Sequence, residues 1–369
     1  MIYMLMFIIS VSFAHMASRA KNRDVMLFFS ALAVLIPCVL GGLRAENLGN
    51  DTGGYARTDF RLALHSPTFQ AFVSNKTTLS HELGYSFITY SLTKLFGVFS
   101  INLFAYQLIT ITCIYIGAYR QRERVPVPFT MLIFLILQYC QTYCLIRQCI
   151  SASIIFMGLK PLENKKYKTF TLYVFTAMMF HTSALLGLFL FLLFHMMIGS
   201  DYIVRKKLFK VFLLAVILSL VPLGMVMMNF MINSLPVLSQ YQNYEQYVAE
   251  YFSYAAGGIL LGTCFMFNLY RKGASKLFEH GKMYQFYNYS LVFNIVYRAT
   301  LNIFPQRILF YFEFINAFLL ASIPFFVREK AQRAIFSIGA VIVALVYYYC
   351  IYIIRNDRVG IWPYRSILL

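Results

Sequence analysis

The sequence predicts an all-α fold: a polytopic integral membrane protein of about twelve transmembrane helices, with re-entrant or interfacial helices between them. Three observations predict it. Of 369 residues, 60% are apolar and only 12% are charged, far fewer charges than a soluble domain of this length carries. The apolar residues fall in blocks of about 18 to 25, the length that crosses roughly 30 Å of hydrocarbon. Between the blocks, lysine and arginine gather in short loops, the pattern of loops kept on the cytoplasmic side. A transmembrane barrel would show short alternating strands instead.

The same observations exclude other classes. The net charge of +18 does not point to nucleic acid, because the basic residues sit in interhelical loops. Residues 1–17 carry no basic start and no small-residue cleavage site, so they read as a retained first span. The seven cysteines lie mostly inside apolar runs and show no paired metal-ligand spacing, so neither disulfides nor zinc is expected.

Loop charge and parity then order the spans. Arg19, Lys21 and Arg23 mark the first cytoplasmic loop and leave the N-terminus outside. Residues 25–43 return outward, so residues 44–80 form an external loop. The next cytoplasmic marker is Arg120, Arg122 and Arg124, and two apolar runs precede it. An odd number of crossings is required, so 82–99 is expected to be re-entrant or interfacial and 101–119 to cross. Residues 129–143 exit and 145–159 return to Lys160, Lys165, Lys166 and Lys168. The apolar run 169–198 has basic residues at both ends, which predicts a hairpin of two short spans with His181, Thr182 and Ser183 near its turn. Such a polar apex has to face protein or water.

Residues 208–232 exit to a second external loop, 233–254, whose tyrosines 241, 244, 247, 251 and 254 share one helical face. That face is an interfacial aromatic belt or a platform for sugar rings. Spans at 255–270, 284–304, 308–327 and 334–354 complete one transmembrane domain over 1–369, with an external tail at 355–369. The sequence shows no repeat and no second domain.

The stretch 44–55 is the most informative one. It packs Arg44, Glu46, Asp51, Gly49, Gly53, Gly54 and Tyr55 into one turn-rich segment after an apolar span. Glycines permit backbone turns that residues with a Cβ resist, and a polar, turned segment at a membrane face suits a site better than a spacer. Several arginines lie on the outer side in this topology: Arg44, Arg57, Arg61, Arg307, Arg355, Arg358 and Arg365, with Arg147 and Arg298 in the outer halves of apolar runs. An arginine at depth costs about 2.5 kcal/mol or more. Ion pairing with Glu46, Asp51, Asp59 or Glu82 would offset part of that. These acids are too few for the whole set, so a bound polyanion is favoured, and a guanidinium suits phosphate oxygens. His181 is either a hydrogen-bonded core residue or a proton acceptor, its ordinary pKa being about 6.5. Glu82 and Asp51 are the other candidate bases, and Asp51 could instead orient Arg44.

Five motifs, in order, carry a resemblance. Arg44-x4-Gly49-x-Asp51-Thr52-x-x-Tyr55 resembles the first-loop signature of the EpsG/Wzy family of bacterial polysaccharide polymerases, which serve O-antigen and exopolysaccharide synthesis. Glu82-x-Gly84-Tyr85, Arg147-Gln148-x-Ile150-Ser151-Ala152, Phe180-His181-Thr182-Ser183-Ala184 and Pro363-Tyr364-Arg365 resemble its later elements, so the likeness covers about residues 42–365. The resemblance implies a GT-C-like fold in the bacterial cytoplasmic membrane. It also implies an enzyme that joins oligosaccharide repeat units carried on undecaprenyl diphosphate, at the external face.

In that setting Arg44, Arg147, Arg298 and Arg307 are expected to hold the diphosphate. His181, or failing that Glu82 or Asp51, is expected to take the acceptor proton. Gly49, Thr52, Tyr55, Tyr85, Gln148, Ser183, Tyr364 and Arg365 would shape the site. No Asp-x-Asp pair stands in an external loop, so no metal and no cofactor is expected. The expected partners are lipid-linked oligosaccharides, membrane lipid and a chain-length co-polymerase typical of the family. The competing readings are an O-antigen ligase and a lipid-linked glycan flippase.

Overall fold

A computed structural model describes residues 2–75, 81–195, 254–278, 282–299, 310–354 and 360–368. These residues are helical, and the single β contact among them is an isolated antiparallel bridge between Arg44 and Ser366. Among the described residues, four helices are long and apolar enough to cross a membrane: Ile2–Arg19, Arg23–Gly42, Phe99–Arg120 and Lys330–Ile354. Shorter apolar helices accompany them. The described part of the chain is therefore all-helical and has the make-up of a membrane protein, as the composition predicts. The predicted span 208–232, residues 233–253 of the predicted loop 233–254 and residues 355–359 of the tail lie outside the described residues.

Helices α1 (Ile2–Arg19) and α2 (Arg23–Gly42) form a tight pair, closed by Ser10 Oγ donating to the Ala33 carbonyl at 2.6 Å. Asn22 caps α2 by accepting the Asp24 N–H at 2.7 Å, which satisfies one of the free donors of a helix start. The segment after α2 is helical rather than a simple loop. It holds a π-helical turn at Thr52–Ala56, then α3 (Arg57–His65) and α4 (Phe69–Ser74). Helix α5 (Leu83–Phe96) ends on Gly97 at φ 67°, a left-handed cap that favours glycine. At 14 residues it reaches about 21 Å, short of a bilayer core of about 30 Å. This length fits the expected re-entrant or interfacial element. Helix α6 (Phe99–Arg120), expected to cross, is long and apolar enough to do so.

The centre is built by helices buried on all sides. These are α7 (Val127–Gln138), which leads into the short α8 (Gln141–Cys144), and α9 (Ile146–Glu163). Helix α10 (Tyr167–Met178) packs on α9; the chain then breaks at Phe180–His181 and resumes as a 3-10 turn, Thr182–Leu185, and α11 (Leu186–Phe194). The polar break falls where the hairpin turn is expected. Beyond the undescribed stretch come α12 (Tyr254–Leu269), α13 (Arg271–Leu277), α14 (Lys282–Ala299), α15 (Phe310–Ser322) and α16 (Lys330–Tyr348).

A helix apolar on every face is a core helix, and α15 buries every one of its residues. Phe134 of α7, Phe156 of α9 and Phe314 and Phe318 of α15 interlock as an aromatic core. Glycine allows the closest approach of α6 to α9: a Cβ on Gly117 would lie 2.5 Å from the Phe156 ring. By contrast α1, α2, α5 and α16 each leave an apolar stripe exposed, including Ile8, Phe28, Phe87 and Ile338. Such stripes match lipid-facing surface.

A buried polar clamp ties the far ends of α6, α9 and α14. Glu163 accepts from Arg124 Nη1 at 2.6 Å, from Gln121 at 3.0 Å and from the Tyr287 hydroxyl. Lys160 lies 3.5 Å from the same carboxylate. Arg124 and Lys160 come from the two loop regions that the positive charge assigns to one side of the membrane.

Candidate active site

The motif residues converge where α5 starts, α9 starts and α10 breaks. Arg147, in the first turn of α9, donates from Nη1 to Glu82 Oε2 at 2.6 Å. Both side chains are mostly enclosed, at 17% and 15% exposure. The other oxygen, Glu82 Oε1, accepts the Thr182 N–H and the Thr182 hydroxyl, each at 2.9 Å. Burial raises the Glu82 carboxyl, but the Arg147 charge foremost, with His181 and the Thr182 N–H, outweighs it and holds it below the usual carboxylate range.

Gly84 makes this approach possible. Its N–H donates to the Met179 carbonyl at 2.8 Å, and a Cβ there would stand 2.7 Å from that oxygen. The start of α5 is thereby sealed against the end of α10, beside His181.

Aromatic faces support the guanidinium. The Arg147 head lies 4.7 Å from the Tyr55 ring centre and 5.8 Å from that of Tyr85, a placement attractive to a cation. Its Nε is buried and has no hydrogen-bond partner. The Tyr55 hydroxyl donates to Asp51 Oδ2 at 2.7 Å, and the same oxygen accepts the Ile146 N–H at 2.9 Å. Asp51 thus caps the entry to α9 and fixes Tyr55 under Arg147. Behind Tyr55 stands a pair absent from the sequence reading, His81 Nε2 and Asp59 Oδ2 at 3.2 Å, both buried. The His81 ring packs on Tyr55 with centres 4.7 Å apart.

His181 sits at the break itself. Its Nδ1 accepts the Ser183 N–H at 3.2 Å and lies 2.6 Å from Ser183 Oγ. Ser183 Oγ is 3.0 Å from the Tyr311 hydroxyl. Tyr311 donates to Ser151 Oγ at 3.2 Å, and Ser151 donates to the Ala177 carbonyl at 2.9 Å. A chain of hydroxyls therefore runs from α9 through α15 to the imidazole.

Arg44 has partners of its own, outside this cluster. It is fully buried. Its head lies 4.3 Å from the Tyr143 ring centre, Nε donates to Thr52 Oγ1 at 3.0 Å, and Nη1 donates to the Gly41 carbonyl. Only Nη2 lacks a partner. The C-terminal segment straps this turn: the Ala45 N–H donates to the Arg365 carbonyl at 2.8 Å, the Ile367 N–H to the Leu43 carbonyl at 3.0 Å, and the Tyr364 hydroxyl to the Leu40 carbonyl at 2.8 Å. Arg365 itself is exposed. Gly49 adopts φ 93°, and a Cβ there would meet Tyr143 at 2.6 Å.

The structure thus brings Arg147, Glu82, Asp51, Tyr55, Tyr85, His181 and Ser183 together. It puts Arg44, Gly49 and Thr52 in the supporting turn with Tyr364 and the Arg365 backbone. Gln148 is buried. Two of the arginines do pair with nearby acids, the alternative to a bound anion: Arg147 with Glu82, and Arg57 with Glu46 at 2.6 Å. The Arg298 side chain and all of Arg307 lie outside the described residues. Tyr311 escaped the sequence reading because it is one ring in an aromatic span. Ser151 and Thr182 stood inside quoted motifs with no role given.

Fold and site together define a helical membrane protein with a guanidinium–carboxylate–imidazole cluster assembled at helix ends. The model of the EpsG family matches residues 26–366, nearly the whole chain. The chain belongs to the EpsG family, which is associated with polysaccharide polymerases, and the resemblance carried by the motifs is borne out. Nothing among curated proteins and nothing among solved structures matches it.

Proposed function

We propose that the chain is a lipid-linked glycan glycosyltransferase that polymerises oligosaccharide repeat units carried on undecaprenyl diphosphate. Family membership supports the polysaccharide-polymerase type of function. The observation that carries the finer reading is the Arg147–Glu82 pair: a stacked guanidinium with a spare buried Nε, held by one carboxylate beside a helix break.

In this proposal the diphosphate competes with Glu82 for Arg147. Phosphate oxygens suit the planar guanidinium, and the gain of their charge frees Glu82 from its cation. A carboxylate that loses a nearby cation becomes a stronger base. The acceptor hydroxyl oxygen then bonds to the anomeric carbon while the bond from that carbon to the diphosphate oxygen breaks. The lipid diphosphate leaves with the electron pair, stabilised by arginine. The acceptor proton passes to Glu82, Asp51 or His181. Arg44 supports the turn, and Arg298 and Arg307 join the diphosphate site on their sequence positions. The proposal extends to a GT-C-like bundle of about twelve spans in the bacterial cytoplasmic membrane, a site opening outward, chemistry without a metal and a chain-length co-polymerase as partner.

The test is elongation by purified protein in nanodiscs, given a defined undecaprenyl-diphosphate oligosaccharide, with and without a chelator. A ladder of products insensitive to the chelator is expected. Transfer only to a lipid A core acceptor would make the chain a ligase. Lipid movement across the bilayer without any new glycosidic bond would make it a flippase.

A further inference from the structure

His181 is one of the three bases that the polymerase reading leaves open, and its surroundings distinguish its two nitrogens. A backbone N–H cannot rotate away or turn acceptor, and the Ser183 N–H donates to His181 Nδ1. Hydroxyl protons do reorient. Ser183 Oγ, 2.6 Å from the same nitrogen, can therefore donate its proton there. Tyr311 has one proton for its two hydroxyl neighbours, Ser151 at 3.2 Å and Ser183 at 3.0 Å. It satisfies one of them at any moment without disturbing the amide. The opposite arrangement, with the proton on Nδ1, satisfies the hydroxyl chain but points an imidazole N–H at the Ser183 N–H. That costs a hydrogen bond and adds a repulsion, so the amide decides the tautomer.

We propose that neutral His181 is held as the Nε2–H tautomer and acts as a hydrogen-bond donor toward the substrate's diphosphate oxygens, not as the proton acceptor. Neutral imidazole with Nδ1 occupied has no free lone pair at Nε2. The acceptor proton then goes to a carboxylate, Glu82 or Asp51. Ser183, Tyr311 and Ser151 are positioning residues in this assignment: they hold the ring and its tautomer and do not touch substrate. Among the described residues, the charged and titratable groups near His181 include Glu82 at the start of α5, with Arg147 paired to it from α9, and Tyr311 of α15.

The assignment of role rests on the polymerase reading, but the tautomer does not, and the two are tested separately. Protein labelled with ¹⁵N-histidine in nanodiscs gives the ring-nitrogen shifts of its six histidines; the signals missing in His181→Gln belong to His181. A protonated Nε2 with a bare Nδ1 is expected, and the reverse pattern overturns the proposal even if the chain is a polymerase. Absence of any elongation by the wild type would overturn the polymerase reading and leave the spectrum interpretable.

Elongation by three variants reads the role. The Gln amide nitrogen stands where Nε2 stood and still donates, so His181→Gln should stay within about tenfold of wild type, whereas His181→Asn and His181→Ala should lose about 10²-fold or more. A donor also tolerates protonation of its ring, so wild-type elongation should not fall as pH drops through the imidazole range. Equal loss in all three variants, with a wild-type rate that falls through that range, would mean that His181 is the base.

Discussion

Arg147 Nη1 and Glu82 Oε2 stand 2.6 Å apart and join the first turn of α9 to the start of α5. The second Glu82 oxygen reaches Thr182 at the α10 break. One carboxylate thus gathers three chain segments far apart in sequence around one guanidinium. A substrate anion that takes the guanidinium also changes what Glu82 can do.

Arg147→Ala should reduce polymer elongation by about 10²- to 10³-fold, the usual cost of removing a preorganised donor to a developing negative charge. Arg147→Lys should recover little of it, because an ammonium has neither the planar donor pair nor the stacking that Tyr55 and Tyr85 offer. The measurement is ladder length from membranes in which insertion of each variant is verified. Ladders of wild-type length from Arg147→Ala would remove this residue from the diphosphate site.

The acid side of the stability profile should carry the mark of Glu82. Its carboxyl is held below the usual range by its partners despite its burial. A group with a depressed folded pKa stabilises the fold above its unfolded value and loses that contribution as pH falls through the folded value. An unfolded glutamate titrates near about 4.3. Thermal unfolding of wild type and Glu82→Gln in detergent should therefore differ above about pH 4 and converge on further acidification. Curves that stay parallel at every pH would show that the pair adds nothing to the fold.

Much of this site was legible in the sequence because membrane insertion penalises its residues. Arg147, Glu82 and His181 stand out against an apolar background, and the parity of the basic loops put a break near His181, where α10 ends. What stayed hidden was partner choice. Arg44 looked like an anion ligand by the same criterion as Arg147, yet it is enclosed by Tyr143, Thr52 and a carbonyl. Composition cannot tell a cation stacked on a ring from one facing a ligand, since both need only a nearby aromatic or oxygen. Tyr311 was invisible for a related reason: an intramembrane tyrosine has the same pattern whether its hydroxyl meets Ser183 or nothing.

Two glycines should be intolerant for different reasons. Gly49 needs a left-handed backbone at φ 93° and faces the Tyr143 backbone; Gly84 has an ordinary φ but no space before the Met179 carbonyl. Alanine at either position should lower the unfolding temperature, each change costing about 1–3 kcal/mol. Gly339→Ala, inside α16 where a Cβ would meet nothing within 4 Å, is the control and should be no less stable than wild type. Fluorescence-detected thermal unfolding of the three variants decides the point; equal stability for Gly84→Ala and Gly339→Ala would contradict the close contact between α5 and α10.

Arg44 and Arg147 should separate when each is changed to lysine. Arg44 is a buried cation whose two directed hydrogen bonds go to Thr52 and the Gly41 carbonyl, and Thr52 in turn donates to the Tyr143 carbonyl at 3.2 Å. Those bonds fix the turn that the Arg365–Ser366 segment straps. A lysine amine cannot reach both acceptors while stacking on Tyr143, so one buried acceptor is left bare at about 1–3 kcal/mol. Arg44→Lys should therefore unfold at lower temperature and insert in lower yield, with elongation falling only as folded protein falls. Arg147→Lys should unfold near the wild-type temperature while elongation per folded molecule collapses. If Arg44→Lys instead kept full thermal stability and lost elongation, its guanidinium would belong with the substrate and the enclosed geometry would have to open when the diphosphate binds.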